Sequence, residues 1–144
     1  MMIFNLHAAE CQDSTKSTND TINKRLKTLI LGEATFVASS YTAFYYLWYK
    51  DFEKSKFHFF NDGGEWLGID KLGHSFSAYW LSNLNTRAYQ WTGINNKKSA
   101  IIGSVSSFLF MSTIEILDGY SSEWGASTWD LVANASGSSL FLAQ

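Results

Sequence analysis

The sequence predicts an all-α fold: a small four-helix bundle, membrane-associated, with a polar cluster at one end. Three observations carry this expectation. Proline is absent from all 144 residues, although ordinary usage of about 5% would supply roughly seven, and a chain without proline keeps its helices unbroken. Aromatic residues reach 17% and charged residues only 17%, the latter against a usual ~25%. Four stretches of helical length also alternate with polar, turn-rich segments.

The elements follow in order. Residues 1–9, MMIFNLHAA, form a short apolar run ending in small residues and read as the remnant of a signal peptide, which predicts export. Glu10 stands before Cys11, where lipidation needs a small residue, so Cys11 reads as an unmodified tail cysteine. As the lone cysteine it excludes an internal disulfide and every multi-cysteine zinc site. Residues 10–25 are polar without apolar periodicity and read as a flexible tether. A single helical domain over residues 26–144 follows. Residues 28–49 hold Glu33 as their only charge and are long enough to cross a bilayer, since about 20 apolar residues suffice. The linker KDFEKSKFHFFNDGGEW closes on a Gly63-Gly64 turn. A second helix is expected over residues 70–91, and Asn95-Asn96-Lys97-Lys98 makes the next turn. Residues 99–117 form a third apolar stretch with Glu115 as its sole charge. DGYSSEWGAS breaks the chain, and residues 128–144 make a fourth helix rich in small residues.

Several features favour a membrane setting. Gly103, Ser104, Ser106, Ser107, Ala133, Ala135, Gly137 and Ser138 allow the close helix approach common in membranes. Trp48, Tyr49, Trp66, Trp91, Trp124 and Trp129 fall near segment ends, as an interfacial belt would place them. The mean hydropathy of -0.10 is low for an integral protein, and the second and fourth segments are too polar to face lipid all round. Membrane lipid or an amphiphile, and envelope proteins, are the expected partners. A net charge of -2 with two arginines excludes a nucleic-acid binder that works by phosphate neutralisation.

The last three segments each carry a polar pair at helical spacing. Asp70 and His74 are four apart, Glu115 and Asp118 three apart, Asp130 and Asn134 four apart, so each pair shares one helix face. In an antiparallel bundle the start of the second helix, the end of the third and the start of the fourth lie at the same end. Up-down topology therefore gathers Asp70, His74, Glu115, Asp118, Asp130 and Asn134 in one place. Four carboxylates together require a cation, which Lys71, a protonated His74 or a bound divalent metal would supply. His and carboxylates at these spacings suit a metal, with His74, Glu115 and Asp118 as candidate ligands. Asp70, His74, Glu115 and Asp130 are the candidate catalytic residues; Lys71, Asn134 and Glu123 are candidate ligand-binding residues. Structural roles compete with these. Asp70 and Asp130 suit helix caps, with Ser127 or Thr128 as rivals for the latter. His74 suits a core histidine, Glu115 and Lys71 an interhelical ion pair, and Glu33 a polar seam.

Phosphate-loop, GxSxG, HExxH and EF-hand patterns are all missing from the sequence. The runs IDKLGHSFSAYW and TIEILDGYSSEWGASTWDLVANASG instead resemble the YfiM-like family of predicted periplasmic or membrane-associated lipoproteins, a domain of unknown function. Its motifs stand here as Asp70-Lys71-Leu72-Gly73-His74, Glu115-Ile116-Leu117-Asp118 and Gly125-Ala126-Ser127-Thr128-Trp129-Asp130. A more distant similarity links the same order to VanZ-like membrane proteins, whose D-x-x-x-N element is here Asp130-Leu131-Val132-Ala133-Asn134. The resemblance covers residues 48–144 and implies a small helical bundle in the cell envelope, on the periplasmic side or at the outer membrane. It implies no activity. The lipobox expected of a lipoprotein is not intact at Cys11, and longer relatives continue past the position of Gln144. Three functions are therefore expected to compete: a non-catalytic envelope protein whose cluster is structural or binds an amphiphile, a metal-dependent hydrolase or transferase acting on a lipid-linked envelope substrate, and a structural subunit of an envelope complex.

Overall fold

Helix α1 (Ile3–Phe44) presents a single covered stripe to the rest of the molecule. Ile22, Leu26, Leu29, Glu33, Val37, Tyr41 and Phe44 recur at three- and four-residue spacing and are part-buried, while most of the residues between them face outward. The computed structural model describes residues 3–144, with side chains from Thr18 onward except at Glu65 and Trp66. Residues 10–25, expected to be a flexible tether, lie within α1. No proline or glycine interrupts the chain before Gly32, and Thr, Asn and Asp each cost a helix no more than about 0.7 kcal/mol relative to Ala. The same helix takes in residues 3–9 of the expected signal-peptide remnant and Cys11, while residues 1–2 lie outside the described residues.

Polar contacts and one ring stack hold α1 in place. The Tyr89 hydroxyl donates to Glu33 Oε2 at 2.8 Å, and burial together with that carboxylate pushes the phenol up to about 12. Arg25 donates to the Trp91 carbonyl at 3.2 Å and lies 5.4 Å over the Trp91 ring. Tyr41 stacks on Phe110 with centroids 5.6 Å apart. A π-helical turn, Tyr45–Tyr49, ends the helix.

The linker then forms an element the helical reading did not anticipate. Strand β1 (Phe59–Phe60) pairs in parallel with β2 (Ala126–Ser127), Phe59 opposite Ala126 and Phe60 opposite Ser127. Ser55 N and His58 N extend the contact by donating to the Tyr120 and Gly119 carbonyls at 2.9 and 3.0 Å. Two-residue strands are too short to leave a period in the sequence.

Helices α2 (Ile69–Trp91), α3 (Asn96–Asp118) and α4 (Thr128–Leu142) fall within a few residues of their expected bounds. Helix α2 follows a short 3-10 turn and is capped by Gly68, whose φ of 76° suits glycine. The Asn95 side chain caps α3 by accepting from Lys98 N at 2.9 Å, and Ser127 caps α4 by accepting from Asp130 N at 3.1 Å. Asp70 and Asp130 are therefore not caps, which removes the structural role the sequence offered for them.

Helix α2 packs against both α3 and α4. The interface is built from small and hydroxyl side chains, among them Ala78, Ser82, Thr86, Ser107, Ala133 and Ser138, all buried. Asn85 donates to both Ser106 and Ser107 at 3.1 Å. The large apolar side chains point outward instead: Leu72, Phe76, Leu109, Val132 and Leu140 are each more than half exposed. Among the described residues, α3 is the one helix long and apolar enough to cross a membrane by length and composition. Residues 28–49 do not qualify as expected, because their Thr and Ser residues and Glu33 hold the hydropathy of α1 down.

Close approach depends on two glycines. A Cβ at Gly137 would lie 2.0 Å from the Ser75 carbonyl oxygen, and one at Gly103 would lie 2.6 Å from Thr86 N. Gly73, by contrast, has nothing within 4 Å of such an atom. Gly137→Ala should therefore lower stability by about 1–3 kcal/mol or more through overpacking. Gly73→Ala should be neutral or stabilise by about 0.5–1 kcal/mol through helix propensity. Thermal melts of the two variants check this; equal melting temperatures would show that the α2–α4 backbone contact is not limiting.

Candidate functional site

Three helix ends and two loops build one acidic cavity of about 720 Å³. The first turns of α2 contribute Asp70 and His74, the last turns of α3 contribute Glu115 and Asp118, and the start of α4 contributes Asp130. The π-helical turn supplies Trp48 and Tyr49, and the loop before β2 supplies Trp124 and Gly125. Phe44, Phe60, Ile69 and Ile114 complete an apolar wall. The polar pairs expected to converge do so across the fold-back of α2, α3 and α4.

Lys71 is the charged centre. Its ammonium lies 2.8 Å from Asp130 Oδ1 and 2.9 Å from Asp70 Oδ2, and it also pairs with Asp62. Burial opposes the charge on Lys71, but these three carboxylates outweigh it and raise the amine above its ordinary value. Asp62 reaches the site because the β1–β2 ribbon brings the linker against the cap of α4, where Ser127 Oγ donates to Asp62 Oδ1 at 2.6 Å. Burial again opposes ionisation there, and donation from Lys71 and Ser127 overrides it, holding the Asp62 carboxyl below its usual range. Asp130 shifts the other way. Its burial outweighs the Lys71 contact and raises its carboxyl.

His74 joins the three helices. Nδ1 lies 3.2 Å from Asn134 Oδ1 and 3.5 Å from Glu115 Oε1, while Nε2 lies 3.7 Å from Asp70 Oδ1 and 4.0 Å from Asp130 Oδ2. Acceptor oxygens therefore face both ring nitrogens, Asn134 and Glu115 at Nδ1 and Asp70 and Asp130 at Nε2. Glu115 is 2% exposed. Its Oε2 accepts from Ser127 N at 3.3 Å, and Oε1 accepts no hydrogen bond. Burial first, then the neighbouring Asp130 charge, push the Glu115 carboxyl up to about 8, against the opposing pull of Ser127 N–H. Asp118 takes the Tyr49 hydroxyl as donor. Burial raises its carboxyl despite that contact, and raises the Tyr49 phenol too.

The donor set suited to a metal differs from the one expected. One ligand atom each from Asp70, His74 and Asp130 lie within 4.8 Å of one another. Asp118 belongs to the same cavity but is turned to Tyr49, and Glu115 meets His74 through Nδ1, on the ring edge away from Nε2. Lys71 is held by carboxylates and is not left open to a phosphate. Glu123 is exposed and does not line the cavity; its neighbour Trp124 does. Sequence reasoning missed Asp62, which stands in an Asn-Asp-Gly-Gly run and read as a turn, and it took Trp48, Tyr49 and Trp124 for an interfacial belt.

The family model described as predicted periplasmic lipoprotein (DUF2279) matches residues 58–143, a span that holds α2, α3, α4 and every acidic side chain of the cavity. No curated protein and no solved structure matches the chain.

The raised Glu115 carboxyl has a consequence for stability. The unfolded chain loses this proton near 4.5 while the folded protein keeps it to about 8, so folding binds a proton and stability falls as pH rises across that window. Glu115→Gln cannot ionise and should flatten the decline in melting temperature between those pH values. A variant with the same slope as the parent would show that Glu115 is not held protonated.

Proposed function

The chain belongs to the family of predicted periplasmic lipoproteins, and from that footing we propose a membrane-associated protein of the cell envelope whose cavity binds the polar head of an amphiphile. The observation that carries this reading is a single cavity with an acidic floor of Asp62, Asp70, Glu115, Asp118 and Asp130 and an aromatic wall of Phe44, Trp48, Tyr49, Phe60 and Trp124. A ligand that satisfies both halves must itself be polar at one end and apolar at the other. The distribution of side chains supports membrane association. Hydroxyls and small residues fill the helix interfaces while leucines, isoleucines and aromatics face outward, the inverse of a water-soluble bundle. The finer likeness to YfiM-like and VanZ-like proteins, carried by Asp70–His74, Glu115–Asp118 and Asp130–Asn134, supports the same reading, with the cavity on the periplasmic side. Exposed apolar faces of this extent also suit a subunit of an envelope complex.

Two measurements test this. The purified protein should co-sediment with vesicles made of lipid alone; a requirement for a protein partner would favour the subunit reading. A decyl-chain amphiphile should change the fluorescence of Trp48 and Trp124, and Trp124→Ala should weaken its binding about tenfold, the usual scale for a buried aromatic contact. Binding unchanged in Trp124→Ala would place the amphiphile elsewhere.

A second reading, a metal-dependent hydrolase or transferase, is favoured by the convergence of Asp70, His74 and Asp130. Here His74 Nε2 and the two carboxylates would hold a divalent cation that activates water. Stoichiometric metal in the purified protein, lost in both His74→Ala and Asp130→Asn, is its expected signature; metal-free parent protein that stays so after dialysis against zinc and manganese removes it.

A further inference from the structure

We infer that the head group taken by the cavity is an ammonium, so that the ligand is a cationic amphiphile carrying a protonated amine or a quaternary nitrogen on a hydrocarbon body. This rests on the amphiphile reading above and narrows it.

Charge comes first. Five acidic side chains line the cavity, whereas the basic groups in the cluster are Lys71 and His74. Lys71 is already divided among Asp62, Asp70 and Asp130, which leaves the Glu115–Asp118 side without a cation of its own apart from His74. Glu115 lines the cavity, and its buried Oε1 accepts no hydrogen bond, with His74 Nδ1 at 3.5 Å as its nearest basic neighbour. An acceptor in that position wants an N–H donor or a positive charge.

The wall selects the kind of cation. Trp48 and Trp124 lie with ring centroids 5.6 Å apart and tilted by 31°, and Tyr49 meets Trp124 edge-on at 6.2 Å. An aromatic lining attracts a weakly hydrated organic cation more than a strongly hydrated one. A bare divalent ion would be satisfied by Asp70, His74 and Asp130 and would leave the rings unused. A phosphate or sulfate head would meet the carboxylates and be repelled. The protein already contains one instance of the preferred chemistry, since Lys71 is an alkylammonium lying among carboxylates of the same cavity. The volume of about 720 Å³ exceeds what a small head group needs, so the first part of the chain enters with it.

The test uses the full chain in dodecyl maltoside micelles and reads tryptophan fluorescence on titration with amphiphiles of equal chain length. Dodecyltrimethylammonium and dodecylammonium should bind at least about tenfold more tightly than dodecyl sulfate or dodecanol, as a desolvated cation–π contact backed by carboxylates allows. Glu115→Gln and Trp124→Leu should each reduce that preference several-fold, and the comparison of head groups on the parent protein stands even if either variant fails to fold. Equal affinity across head groups, abolished by Trp124→Leu, would overturn the ammonium assignment and leave the amphiphile reading intact. No response to any amphiphile would overturn both. Propylammonium binding as tightly as dodecylammonium would also overturn the proposal, by assigning the site to a soluble amine. Vesicles containing an aminophospholipid, competing where phosphatidylglycerol vesicles do not, would place the ammonium on a lipid.

Discussion

The distance between helix backbones is the constraint on which the rest of this molecule depends. At Gly137 the α4 backbone lies so close to the Ser75 carbonyl that no side-chain carbon fits between them, and Gly103 does the same for α3 against Thr86. Small and hydroxyl side chains surround these contacts, and two of the hydroxyls turn back onto their own helices, Ser82 to the Ala78 carbonyl at 2.7 Å and Ser107 to the Gly103 carbonyl at 2.8 Å. Such side chains satisfy part of their hydrogen bonding locally, and Asn85 adds bonds across the interface to Ser106 and Ser107. The site inherits its register from this contact. Ser75 follows His74, and Asn134 lies three residues before Gly137 on the same face of α4. Backbone contact at Gly137 thus brings His74 Nδ1 within 3.2 Å of Asn134.

The cluster assembled by that register is satisfied unevenly, and the unevenness is informative. On one side Lys71 ties Asp62, Asp70 and Asp130 together, and Ser127 supports two of them, donating to Asp62 and accepting from Asp130 N. Removing one member of such a set leaves its partners charged and buried, which costs more than the pair contributes. On the other side Glu115 keeps an acceptor with no donor, and Asn134 Nδ2 is equally unpartnered at 0% exposure. Buried polar atoms are nearly always paired in folded proteins.

Much of this arrangement is legible in the sequence because helical spacing and antiparallel order are local rules. Asp70 and His74, or Asp130 and Asn134, share a face whatever surrounds them, and alternating helices put their ends together. What the sequence hides depends on contacts between distant segments. Asp62 enters through a ribbon of two residues per strand, too short to carry a period, and the pairing of Phe60 with Ser127 is what delivers it. The identity of the caps was open because Asp130, Ser127 and Thr128 all suit the role; the extended backbone at Ser127 decides it. Glu123 was a reasonable candidate from its place in the loop, yet the residue beside it turns inward, since an indole gains from the apolar wall and an unpaired carboxylate does not. Asp118 likewise shares a face with Glu115 but meets Tyr49, a residue that only the end of α1 could bring there.

The polar seam and the apolar exterior are two aspects of one design. Burial of large apolar side chains is the main stabilising term for a domain in water, and here the fully buried hydrophobic residues among the described side chains are three alanines, Met111 and Tyr89. Close backbone packing and interhelical hydrogen bonding are the terms that hold helices together where the surrounding medium is itself apolar. On the membrane-associated reading the exposed Leu72, Phe76, Leu109 and Val132 are then in their proper solvent. The same reading gives the cavity its position. Trp48 and Trp124, amphipathic rings suited to the interface between lipid and water, form the wall of the opening, and the carboxylates lie behind them. An amphiphile at that interface can present its head to the floor while its chain stays in lipid, with no transfer through water. Cavity and exterior therefore ask for the same surroundings, although they are built from different residues.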